Sequence, residues 1–326
     1  MKSAMSMTCR PISFLAAPLS LAVLCLGLTG CGLTVRQQAA ISKFSSTTRV
    51  LAEQVEENLV QTRSDVVALR TGMLALNAGT VDLENASADL DAGLNVDELE
   101  TRLKAAGALR RFGMMLESLA TDTQSGELQG ASDQFVTSLR QVQGVNLSDA
   151  KAEAIAQVIG KIGGLWINAK RKKALKMVII ETRQPLQTLA SLVANDFNPT
   201  NEQWLAVLTA THEEITDPLR SQMEFVVEGK HTNPEDDRSP KWKDSEVTLR
   251  QDRYEALKLD ATARVKRAEL ISERMLRSVA SFRGAHEDLF VIIQSPEVSL
   301  DKIDGYYAEV DSLIRLSRIL AAKERK

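Results

Sequence analysis

Residues 44–76 read FSSTTRVLAEQVEENLVQTRSDVVALRTGMLAL, and their spacing decides the fold. Phe44, Thr48, Leu51 and Val55 stand four and three apart, and the series resumes as Leu59, Thr62, Val66, Leu69, Met73 and Leu76. Alternation of this kind makes a coiled-coil seam, with the extra four-residue step from Val55 to Leu59 as a stutter. The pattern predicts one helix over 35–77, roughly 60 Å long. That is long for a compact domain.

A second pattern of the same kind occupies residues 244–293. Tyr254, Leu257, Ala261, Val265, Ala268 and Ile271 share a face, which Met275, Val279, Phe282, His286, Leu289 and Ile293 continue. Charged residues fill the other faces, so the helix is amphipathic rather than buried all round. Two such stripes have to be laid against other helices. The fold expected is therefore all-α, an elongated antiparallel bundle with coiled-coil-like long helices.

Shorter helices connect the two. Asn95 caps one that runs to about Leu119, with Glu98 in the capping-box place. Residues 78–94 before it lose the period and read as a loop. A break near 121–127 precedes a helix over about 132–143, which Gly144 ends; a sub-boundary near 144–148 is possible. Ser148 and Asp149 open a helical stretch to about Val193, which Pro185 should kink or interrupt. Asn198-Pro199-Thr200 is a turn before a helix over about 201–227, with Asp217-Pro218 as a possible restart. Residues 229–240 form an exposed loop, and Ser299 leads into a last helix reaching the C-terminus. The apolar runs 177–180 and 289–293 resemble strands in isolation but sit inside helical periods. No repeat of fixed period appears.

Composition agrees. Aromatic residues make up only 4% of the chain, which favours helices over sheets. With 40 basic against 43 acidic side chains, there is no footprint of general nucleic-acid binding.

The first thirty residues stand apart. Lys2 and Arg10 precede an uncharged apolar run from Ile12 to Leu28, the layout of a secretory signal and near the ~18-residue limit for a permanent span. It ends in Leu28-Thr29-Gly30-Cys31. This resembles the lipobox of bacterial lipoproteins. The resemblance implies cleavage between Gly30 and Cys31 and acylation of Cys31, giving a membrane anchor of more than one chain. In such lipoproteins an Asp after the cysteine favours inner-membrane retention; Gly32 stands there, so the resemblance implies the outer membrane, facing the periplasm. Cys9 and Cys25 would leave with the leader, so the mature chain would have no disulfide.

No catalytic constellation stands out. The histidines are His212, His231 and His286, and His212-Glu213-Glu214 lacks the second histidine of a zinc-protease motif. His286 is expected at the edge of the bundle face. Ser148-Asp149-Ala150-Lys151 and Ser299-Leu300-Asp301-Lys302 match Ser-x-x-Lys, but the partner motifs are missing and helix capping accounts for both serines. No metal site and no cofactor are expected.

Three features are candidates for binding. Gly160, Gly163 and Gly164, followed by Trp166, suggest a close helix crossing or a ligand groove, because each helical glycine costs ~1 kcal/mol against alanine. Lys170, Arg171, Lys172 and Lys173, with Lys176 a turn on, suit an anionic surface. The terminal Arg325-Lys326 is similar to the end of the major murein lipoprotein, which implies peptidoglycan attachment through Lys326.

The expectation for function is an outer-membrane-anchored scaffold or adaptor, not an enzyme, that binds an envelope protein or peptidoglycan and no nucleic acid. A carrier holding an apolar or anionic ligand near 160–166 is the first rival. An envelope hydrolase using Glu213, Glu214 or the Glu287-Asp288 pair is the second.

Overall fold

The computed structural model describes residues 33–77, 90–121, 125–160 except 143, 146 and 147, 168–199, 204–217, and 244–324 except 296 and 298. Among them are eight helices and no strand. They are α1 (Val35–Asn77), α2 (Val96–Ala120), α3 (Ser125–Arg140), α4 (Asp149–Gly160), α5 (Asn168–Asp196), α6 (Trp204–Thr216), α7 (Asp244–Gln294) and α8 (Asp301–Glu324).

α1 and α7 form the axis. At ~1.5 Å per residue, they are about 65 and 76 Å long. They run antiparallel, each step along α1 matched by a step back along α7. The Gln37 amide donates to the carbonyls of Ile292 (2.6 Å) and Ile293 (3.1 Å), Phe44 stacks on Phe282, and Arg250 donates to the Leu76 carbonyl at 2.9 Å. The stripe read in the sequence is the buried face: Phe44, Leu51, Val55, Leu59, Val66 and Leu69 are all enclosed, as are Tyr254, Ala261, Met275, Val279 and Leu289.

α2 lies antiparallel to α1, tied by Arg49–Glu117 at 2.5 Å and Arg110–Glu56 at 3.1 Å. Asn95 caps it by accepting from the Glu98 N–H at 2.8 Å. The Glu98 carboxylate turns to Arg102 instead of closing the box. α8 runs parallel to the first half of α1, through Lys43–Asp304 at 2.7 Å and Gln54 accepting from Ser317 at 3.0 Å. α6 runs parallel to the second half, where the Trp204 indole donates to the Leu59 carbonyl at 3.0 Å and Arg70 pairs with Glu214 at 3.2 Å.

Several boundaries differ from the sequence reading. α3 starts at Ser125 rather than near 132, because Leu128 continues the buried row of Ser132, Phe135 and Leu139. The stretch from 149 onward is two helices, α4 and α5, with residues 161–167 outside the described set. α5 runs unbroken through Pro185. A proline costs ~3 kcal/mol in a helix interior, but Pro185 is itself buried, and Thr182, Leu186, Leu189 and Ala190 around it are buried too. α6 stops at Thr216, at the place the sequence offered for a restart, since Pro218 disfavours a helical conformation at the residue before it; residues 218–227 lie outside the described residues. The two short apolar runs are helical. The apolar core continues across Val142 and Val145 to Ala152, past a turn at Gly144 (φ +81°).

One end of the axis is aromatic. Phe44 meets Phe282 and Tyr306 at centroid distances of 5.7 and 5.6 Å, and Phe112 meets Phe135 at 5.4 Å. His286 is not at the edge, as the sequence suggested. It is 3% exposed, with its ring 5.8 Å from Phe112 and 6.2 Å from both Phe44 and Phe282.

Candidate functional site

Where α8 gives way to α6, the α1–α7 pair is left partly uncovered. A groove of about 560 Å³ lies there, with Gln54, Glu57, Asn58 and Gln61 of α1 facing Ile314 and Arg318 of α8. It continues into a smaller hollow that reaches Phe197 and Leu205; the two share Asn58, Gln61, Arg267 and Ile271.

An ion cluster adjoins the groove: Arg267 lines both hollows and Asp65 the smaller one. Asp65 is 1% exposed and accepts from Arg264 at 2.5 Å, from Arg267, and from the Gln61 amide at 2.9 Å. Arg264 also pairs with Asp260 one turn away at 2.9 Å. A carboxylate this deep is tolerable only because its lone pairs are met by cationic donors.

The groove wall is rich in amides. Each amide group has two donor protons and two acceptor lone pairs. Asn58 gives one proton to the Gln54 carbonyl at 2.7 Å, and Gln61 gives one to Asp65. With Glu53 and Glu57 on one side and Arg318 on the other, the groove offers hydrogen bonding and charge of both signs. This is chemistry for holding a polar chain. No histidine or cysteine lines it.

At the α6 end, Trp204 is fully enclosed and the Arg102 guanidinium lies 4.7 Å from its ring centroid. Arg102 bridges Glu98 at 2.5 Å and Asp196 at 2.9 Å. Burial raises the Asp196 carboxyl above its ordinary range, and Arg102 opposes that shift.

The residues singled out in the sequence are scattered relative to this groove. Gly160 is the last residue of α4; Gly163, Gly164 and Trp166 lie outside the described residues, as do Gly30, Cys31, His231 and Lys326. Lys170 belongs to the first turn of α5. Arg171 is 2% exposed, whereas Lys173 and Lys176 are exposed, so the basic run is not one solvated face. His212 is half-buried, with Nε2 3.2 Å from the Thr262 hydroxyl. Ser299 accepts from the Asp301 N–H at 3.1 Å, and Lys302 is held by Asp288 at 2.5 Å. Ser148 supplies the carbonyl that receives the Ala152 N–H at the start of α4. Glu214 and Glu287 are paired with Arg70 and Arg183.

The sequence reading missed Asp65, Arg264 and Arg267. The only signal was an acidic residue beside Val66 and basic residues beside Val265 and Ala268, which look like the edges of any amphipathic stripe. Among the described residues no group of three or more His, Cys, Asp and Glu is placed to hold a metal ion, and no helix is long and apolar enough to cross a membrane. No protein-family model, curated protein or solved structure matches the chain.

Proposed function

We propose that the chain is an outer-membrane lipoprotein, cut at Gly30 and anchored through Cys31, whose helical body is an adaptor in the periplasm. The groove between α1, α7 and α8 takes an extended polar segment of an envelope protein. The observation that carries the binding reading is the groove itself: amides beside a neutralised ion cluster, left open at the handover between two roofing helices. Extended backbone presents alternating donors and acceptors, which side-chain amides can meet in either sense. The anchor rests on Leu28-Thr29-Gly30-Cys31. It is supported by the burial of Leu33, which starts the body two residues beyond Cys31.

The test is site-specific photo-cross-linking in cells, with the cross-linker at Asn58 or Arg318 in the groove and at Leu259 on an exposed face. Anchored protein and a Cys31→Ala form exported by a cleavable leader are compared after detergent-phase capture. The expected result is one protein adduct from the groove positions of the anchored form, absent from Leu259 and diminished without the lipid. Identical adducts at all three positions would sink the adaptor reading. A Cys31→Ala form still retained in the detergent phase would sink the anchor alone.

A further inference from the structure

α5 and α7 run antiparallel, joined by Arg183–Glu287 at 3.0 Å and by Arg283 donating to the Ser191 hydroxyl at 2.8 Å. Their seam does not close completely. A cavity of about 330 Å³ opens between Ile179, Ile180 and Arg183 on one side and His286, Phe290 and Val291 on the other. Ligand pockets span about 300–1,000 Å³, so this one has room for a single narrow chain. Ile180 and Val291 at its rim are 45% and 43% exposed. Scattered exposed aliphatics need no explanation, but these two flank the same opening.

Two observations separate the cavity from a packing flaw. The first is His286, in its inner wall. The ring is buried among phenylalanines, and Nε2 has no hydrogen-bond partner. Leaving that nitrogen unpaired costs its desolvation, a cost that phenylalanine at the same place would not incur. Burial holds the imidazole down at about 4, with the Arg183 charge acting in the same direction and Glu287 against it. At neutral pH the inner wall is therefore an uncharged ring, and the two charged residues that also line the cavity, Arg183 and Glu287, are paired with each other.

The second observation is the adjoining opening along the same seam, lined by Lys172, Lys173, Lys176, Ile293 and Gln294. Lys176 sits 5.8 Å from the centroid of the Phe290 ring. Among the described residues no carboxylate pairs with any of these three lysines, although most arginines of the bundle are paired. Three cations without counter-ions beside an apolar slot define one kind of ligand.

We propose that the α5–α7 seam binds a single-chain amphiphile with a carboxylate head, the chain lying between Ile179, Ile180, Phe290 and Val291 and the head resting on Lys172, Lys173 and Lys176. From Lys173 to Arg183 the seam is about 15 Å long. The volume suits one chain and not the two of a bilayer phospholipid, so a free fatty carboxylate is the ligand. This inference stands independently of the groove reading, since the two sites share no residue.

The test uses the chain from residue 32 onward, which holds every described core residue. Dodecanoate is titrated below its micellar concentration by calorimetry, with dodecyltrimethylammonium as the probe of opposite charge. Saturable 1:1 binding of dodecanoate is expected, about tenfold or more tighter than the cation. Combined Lys172→Gln, Lys173→Gln and Lys176→Gln, and separately Ile180→Glu, should each weaken it about tenfold while helix content and Tm stay at the unsubstituted level. All three side chains of the first variant and the Ile180 side chain are at the surface or its edge, so both variants should fold. Equal affinity for the two probes, unchanged affinity in both variants, or no saturation overturns the proposal. So does sedimentation with phosphatidylglycerol vesicles in the absence of saturable dodecanoate binding, which would make the seam a bilayer contact.

Discussion

The two halves of the α1–α7 pair carry one continuous apolar stripe yet enclose opposite chemistry. In the first half α8 and α2 close over Phe44, Phe282 and Tyr306, and the centre is a stack of rings. Of the polar groups there, the Tyr306 hydroxyl donates to Thr48 at 3.3 Å and burial pushes its proton affinity up, while His286 Nε2 has no partner. In the second half α6 closes over Leu59 and Trp204, and the centre is Asp65 between two guanidiniums. Periodicity decides which side of a long helix is covered. What lies under the cover depends on which helix arrives, and the groove sits where one cover ends and the next begins.

The largest effect should come from the ring stack. Phe44→Ala removes the ring that touches Phe112, Phe282, His286 and Tyr306 together. A loss of about 3–5 kcal/mol is expected in urea denaturation followed by circular dichroism. Asp65→Ala should come next, at about 3 kcal/mol. It strands two cations, but Arg264 and Arg267 keep some access to water, which places the loss at the low end for a buried pair. If Asp65→Ala cost less than ~1 kcal/mol, the cluster would behave like a surface ion pair, and the contrast between the halves would collapse.

A pH titration separates the halves differently. Burial pulls the His286 imidazole down to about 4 in the folded chain, from its ordinary value of 6.5 when unfolded. Between those values the unfolded state binds the proton and the folded state does not, so stability is highest above 6.5 and falls as pH drops towards 4. At 1.36 kcal/mol per pKa unit, the full loss attributable to His286 is about 3 kcal/mol. His286→Phe keeps a ring against Phe44, Phe112 and Phe282 and removes the proton. Its stability should therefore fall by that much less than the unsubstituted chain over the same range, and parallel curves for the two would mean that His286 is not buried as a neutral base.

How much of this was legible in the sequence follows from what periodicity encodes. The faces of α1 and α7 were readable because each apolar residue reports its own side of its own helix. Asp65 was not, because its burial depends on Arg264 and Arg267, about two hundred positions away, and a charge beside a stripe ordinarily means solvent. His286 was placed on the right face but at its margin. Its true position depends on rings converging from α1 and α2 as well as α7. The basic run after Trp166 was visible as charge, while the burial of Arg171 in the middle of it was not. Pro185 misled because a local cost of ~3 kcal/mol was set against no knowledge of the packing around it.

The smallest and sharpest test concerns glycine. The sequence points to 160–164 for a close approach of helices; among the described residues, Gly113 of α2 comes close to the backbone of α1. An added Cβ there would stand 2.7 Å from the Ser45 carbonyl oxygen and 2.9 Å from Cγ of Arg49. The first of these is backbone of α1 and cannot swing aside. Gly107, less than two turns earlier on α2, has nothing within 4 Å of the same position. Both residues are helical, so alanine gains up to ~1 kcal/mol of helix propensity at each. At Gly107 that gain stands alone, and Gly107→Ala should stabilise by about 0.5–1 kcal/mol. At Gly113 overpacking costs about 1–3 kcal/mol and outweighs it, leaving a net loss of roughly 1 kcal/mol or more. Opposite signs for one substitution on one helix, read as shifts of the urea midpoint, are the expected result. Like signs would mean that α1 and α2 are farther apart at Ser45 than the structure places them.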